Sequence, residues 1–355
     1  MTNALPLRGF RTNTQKTKIN LNELEAGVPE KDGIPAILNP LFESAEQAQS
    51  WLQLKEPVIA LIINQTARAY PLQILIWHEI VNDQLAQTPV LVSFCPLCYS
   101  ALVFKRQIND ETFSFGVSGM LRHSDLVMYD HQSESLWQQF SGEAIVGEKT
   151  GLNLIQIPSQ ILSFEQFQQL YPTGEILSRP LNSDRAYGKN PYVGYDHIDQ
   201  RPFRFREIPD PRLPPMERVI AIQVENQAKA YPYSISRQAK VIHDCLNNRE
   251  LVIFHEEGPV SAVDQADISL SQSTGSTGVF ESVAQGRSLH FYWTAQGFRD
   301  RETGSYWDIS GKAFSGPLEG ERLKPYPHGD FFAFAWLVFR PESLIFASDS
   351  ALSGT

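Results

Sequence analysis

Residues 58–63 (VIALII) form an apolar, β-branched run, the polar Asn64-Gln65-Thr66 interrupts it, and 67–70 resumes the pattern. That reads as two strands joined by a tight turn. Pro71 suits a first helical turn, and Ile74, Trp77, His78 and Val81 then fall at i, i+3, i+4 and i+7. The spacing predicts a short helix to about Val81 with that face buried. Residues 90–94, 99–104 and 113–117 read as further strands, and 164–170 as a closing helix. Long helices between strands are missing, so the pattern predicts an α+β fold of strand-dominant units with short helices and antiparallel sheets.

The pattern is also written twice. VIALIINQTARAYP at 58–71 returns as VIAIQVENQAKAYP at 219–232, 161 positions on, and the apolar stretches 90–92 and 251–253 keep that offset. A second block carries Asp130, Trp137, Gly142, Ala144, Gly147, Gly151 and Leu154. Its counterpart carries Asp300, Trp307, Gly311, Ala313, Gly316, Gly320 and Leu323, at offsets of 170 and then 169. Chance does not hold so many Gly, Trp and Asp in step, and the expectation is an internal duplication. The implied organisation is an N-terminal extension at 1–54, a first repeat unit at 55–178, a Pro/Tyr-rich connector at 179–215, a second unit at 216–348 and a tail at 349–355. Proline density in the connector disfavours helix and central strand, while Tyr187, Tyr192 and Tyr195 argue that it packs on the units. Residues 269–278 (SLSQSTGSTG) read as a surface loop.

The 355 residues are 42% hydrophobic, 20% charged and 11% aromatic, the balance of an ordinary globular chain. Thirty Lys and Arg against forty Asp and Glu leave a net charge of −10, which repels phosphate backbones, so nucleic acid is not an expected partner. The longest apolar run, 331–339, is half the length of a membrane-spanning helix, which needs roughly 20 residues. Residues 1–20 hold no apolar stretch of a secretory signal, so the sequence as given reads as cytoplasmic, or exported if its start has been trimmed. Phosphate-binding glycine loops, Gly-x-Ser-x-Gly and His-Glu-x-x-His are missing, which demotes nucleotide-driven and common hydrolytic chemistry.

Three cysteines are too few for a disulfide framework, and two of them form Cys95-Pro96-Leu97-Cys98 at a strand end. Such a pair suits a reversible dithiol or thiolate ligation of a soft metal; a strand after Cys98, in place of a helix, counts against a thioredoxin-like site. A single pair cannot close a four-cysteine zinc site, so co-ligands are needed. His78 and His123 are the candidates, giving a two-sulfur, two-nitrogen set for copper, zinc or iron. Met120 and Met128 would favour copper(I) if they face inward, though methionines usually fill cores. The second unit lacks these types: Glu256 and Pro259 stand opposite Cys95 and Cys98, and Trp293 opposite His123. Cys245, His243 and His255 share no ligand spacing. The rival reading is a binding scaffold with inert, buried cysteines, and a third is an acid–base enzyme using Glu79, Asp83 and Asp130.

The strings Asp32-Gly33-Ile34-Pro35, Ala69-Tyr70-Pro71, Trp77-His78-Glu79, Cys95-Pro96-Leu97-Cys98, Met128-Tyr129-Asp130 and Leu136-Trp137 carry a likeness to a known family. With Asp300, Ser305, Trp307 and Gly311 they make the chain resemble, from about residue 30 onward, the bacterial family called domain of unknown function 3179. That resemblance implies no reaction and assigns no catalytic role. Its members often carry an export signal or lipid anchor, which this sequence does not display.

Overall fold

A computed structural model describes residues 7–347 apart from 8, 29 and 182. Strands hold 42% of the chain and helices 11%, distributed over several separate sheets, which bears out the strand-dominant α+β class.

In the first half, Pro57–Ile63 and Thr66–Pro71 form the expected hairpin, with Asn64 and Gln65 at φ 49° and 67° making its tight turn. This hairpin sits in a five-stranded sheet, a second sheet contains Ile80–Leu85, Thr88–Cys95 and Ser100–Lys105, and a third contains Phe115–Arg122, Asp125–Asp130 and Leu136–Gln138. The second half lays down the same order. Arg218–Val224 pairs with Gln227–Pro232, Val241–Leu246 with Arg249–Glu256, and Phe291–Thr294 with Gly297–Asp300. Each half adds one parallel strand beside its hairpin, Glu175–Leu177 and Leu344–Ile345, and the first of these also pairs with Phe42–Ser44.

Two buried clamps recur at corresponding places. Asp130 accepts from the Ser133 amide (2.5 Å) and Trp137 Nε1 (2.9 Å), as Asp300 does from the Thr303 amide (2.6 Å) and Trp307 Nε1 (2.9 Å). Tyr70 donates to Asp83 (2.6 Å) and Tyr231 to Asp244 (2.8 Å). Both tie neighbouring elements together through polar groups that find partners where water is largely excluded.

The helix after Pro71 is shorter than its periodicity predicts. It spans Leu72–His78 and ends because Glu79 takes φ 57°; Val81 lies in the next strand. Of 331–339, only Ala333–Phe339 is helical, and the strand Gly329–Phe332 precedes it. Residues 269–278 are not a loose loop throughout, since Ser276 and Thr277 are buried in the strand Ser276–Glu281. The connector holds no helix or strand between Leu177 and Arg218 among its described residues, yet it is anchored: Tyr195 is buried and Tyr187 and Tyr192 pack on the main core. That core joins the halves, with Phe331, Phe332 and Trp336 packed among first-half residues.

Candidate functional site

The strand Thr88–Cys95 delivers Cys95 to the interior, and a turn carries Cys98 back beside it before Ser100–Lys105 begins. Tyr99, at φ 55°, makes that reversal. The two cysteines lie 4.0 Å apart, twice a disulfide bond length, and both are free and buried. Their thiols point at one acceptor, the Ser124 carbonyl, at 3.8 Å from Cys95 and 3.5 Å from Cys98. Ser124 belongs to the two-residue turn His123-Ser124, φ 52° and 68°, between Phe115–Arg122 and Asp125–Asp130.

The next residue completes the cluster. A carboxylate oxygen of Asp125 and both sulfurs all lie within 4.8 Å of one another, the single metal-capable group of this kind among the described residues. Asp125 is fully buried, and its Oδ2 accepts from Gln138 Nε2 (2.5 Å) and the Phe140 amide (3.0 Å). Its Oδ1 is buried with no hydrogen-bond partner. Such an orphan costs about 1–3 kcal/mol, more for a charged group, unless something occupies it.

Glu79 is brought alongside by the strand pairing, its carbonyl accepting from the Phe94 amide at 2.9 Å. Burial pushes its carboxyl up to about 8, with the Asp125 charge adding to the shift. Burial likewise raises Asp125 to about 6, although Gln138 and Phe140 pull it down. The Cys98 thiol is held well above its ordinary range by burial, then by Cys95 and Asp125. Over these groups lies the connector: Tyr195 donates to the Leu97 carbonyl at 3.0 Å, and Tyr192 is raised by burial and by the Glu79 and Cys95 charges.

Neither histidine joins the sulfurs, so the expected two-sulfur, two-nitrogen set is not assembled. His78 Nδ1 pairs with the Pro35 carbonyl and Nε2 with the Tyr187 hydroxyl, both at 2.7 Å. It anchors the connector. His123 points from its turn toward Glu207 (Nδ1, 2.5 Å) and Glu23 (Nε2, 3.4 Å). Met120 and Met128 sit in core clusters. Asp83 is engaged by Arg68 and Tyr70, and Asp130 by Ser133 and Trp137. In the second half, His243 accepts from the Phe291 amide, His255 pairs with Ser236, and Cys245 is exposed.

The family model described as protein of unknown function, DUF3179, matches residues 31–343. The chain belongs to that family. No curated protein and no solved structure matches it significantly. In this DUF3179 chain the matched span contains Cys95, Cys98, Asp125 and Glu79. No helix among the described residues is long and apolar enough to cross a membrane.

Proposed function

We propose that the protein holds a thiophilic metal ion through Cys95, Cys98 and Asp125, with the Glu79 carboxyl beside the site. The observation that carries this reading is the orphaned, fully buried Oδ1 of Asp125 next to two free thiols. Four acidic groups converge there. Arg122, which lowers the Asp125 pKa, is itself bound to Glu23 at 2.6 Å. Buried charges are tolerated when paired or coordinated, and a divalent cation would favour the ionised form of every member of this set. Two thiolates with a carboxylate suit zinc; copper(I) prefers sulfur throughout, and iron is the alternative for the same donors.

The same features weigh against a dithiol redox centre. A reactive thiol needs a depressed pKa and access, whereas Cys98 is raised by burial and covered by the connector. We further infer that the matching element order and clamps reflect two copies of one unit, of which the first carries the site.

The test is metal analysis of the purified full chain, beside titration of metal-free protein with Zn²⁺ and with Co²⁺ as a spectroscopic probe. One equivalent with a sulfur-to-cobalt charge-transfer band is expected, lost in C95S/C98S and weakened at least about tenfold in D125N. Equal metal content in wild type and C95S/C98S overturns the reading. A chain that takes up no Zn²⁺ or Co²⁺ and whose thiols react only after denaturation favours the inert scaffold.

A further inference from the structure

A cleft of about 710 Å³ opens between the two halves, away from the thiol centre, and its volume falls within the roughly 300–1,000 Å³ of small-molecule sites. Ile62 and Leu170 from the first half and Phe280 and Leu323 from the second supply apolar walls. Its charged residues are Lys312 and Arg322, and no Asp or Glu lines it, although the chain as a whole carries −10.

Lys312 and Arg322 are antiparallel bridge partners, so two cations face each other across neighbouring backbones. Like charges directly opposite in such a pair destabilise it. Neither makes an ion pair among the described residues. Asp308, which does not line the cleft, has its Oδ1 engaged by Ser310 and by the Lys312 amide, and the Arg322 charge reaches it from beyond ion-pair distance. The wall also holds His328, 5% exposed, whose Nδ1 pairs with the Tyr326 carbonyl (3.0 Å) while Nε2 is buried without a partner. Apolar walls, a facing cation pair with no ion pair of its own among the described residues and an unpartnered ring nitrogen thus meet in one place.

We propose that this cleft binds a small organic carboxylate with an apolar body. The carboxylate sits between Lys312 and Arg322, where it relieves their repulsion through charge-assisted hydrogen bonds, and the hydrocarbon part covers Ile62, Leu170, Phe280 and Leu323. The proposal is independent of the metal site.

The probe is octanoate, titrated into the full chain by calorimetry and by NMR, with n-octanol and inorganic phosphate as controls. Saturable binding of one octanoate is expected, with both controls weaker by at least about tenfold, because each lacks one half of the recognition. The K312Q/R322Q variant should bind octanoate at least about tenfold more weakly. R322Q alone, which alters an exposed side chain, should lose several-fold while unfolding in urea close to the wild-type midpoint, which separates lost recognition from lost folding. No saturable octanoate binding up to about 10 mM overturns the proposal. So does octanol or phosphate binding as tightly as octanoate, or unchanged affinity in R322Q.

Discussion

Replacing Glu79 by Gln in the metal-free protein isolates the electrostatic stress at the thiol centre. The carboxyl titrates near 4.5 when unperturbed and at about 8 in the folded chain, because burial and Asp125 oppose its ionisation. A group whose folded pKa is raised contributes stability that is fully present below about 4.5 and is lost as pH rises through 8. At about 1.4 kcal/mol per pH unit, ionising Glu79 in place costs about 5 kcal/mol in all, of which about half falls between pH 6 and 8.5. Glu56 and Glu256, each raised to about 7 by burial, add slopes of the same sign. Those act equally in wild type and E79Q, so the difference between the two pH profiles reports Glu79. Urea unfolding of chelator-treated protein at pH 6, 7 and 8.5 should give E79Q a gain over wild type that grows by about 2–3 kcal/mol across that range. Parallel profiles would refute the reasoning, showing that the carboxyl is solvated or paired in a way the fold does not display. Saturating zinc should flatten the wild-type slope if the metal reading holds.

Asp130→Ala and Asp300→Ala should each cost about 3 kcal/mol in urea unfolding, within about 1 kcal/mol of each other, because each orphans a Trp Nε1 and a turn amide. Tyr70→Phe and Tyr231→Phe should each lose about 1–2 kcal/mol by the same measurement, each leaving an Asp carboxylate short of one donor. In metal-free protein, a thiol reagent should label Cys245 at once and Cys95 and Cys98 only at the rate of opening, since Cys245 is exposed and the pair is buried; fast labelling of all three would contradict the burial.

Local patterns that two-residue periodicity and turn chemistry govern were legible in the sequence. Val58 through Tyr70 reads as a hairpin because Asn64-Gln65 can take positive φ, and the observed turn does so. The helix that follows is shorter than its periodicity predicts, because periodicity alone cannot see Glu79 adopt φ 57°; Ile80 and Val81 then keep an apolar spacing that serves a strand equally well. Site membership was less legible. His78 was correctly placed as inward-facing, but an inward ring needs two partners, and Pro35 and Tyr187, 43 and 109 positions away, supply them. His123 lies two positions from Asp125, but its ring turns to Glu207 and Glu23 while Asp125 is buried beside the sulfurs. An acid opening the wholly buried strand Asp125–Asp130 was the signal available.

Comparing the halves explains why the site occupies one of them. The return strand Asp125–Asp130 has six residues where Gly297–Asp300 has four, and the position answering to Asp125 is Ala295. The longer first hairpin thereby carries a carbonyl and a carboxylate to the cysteines, whereas the shorter one carries no acid there. Opposite Glu79 stands Lys240, in the same left-handed conformation at φ 62°. Opposite Cys95 stands Glu256, whose burial-raised pKa is lowered again by Gln166 and by that lysine's charge. The second half thus places a cation near Glu256, at the backbone position that in the first half holds Glu79. At Cys95, Cys98, Asp125 and Glu79 no such lysine is supplied, and the proposed metal ion would provide there the charge balance that Lys240 provides near Glu256.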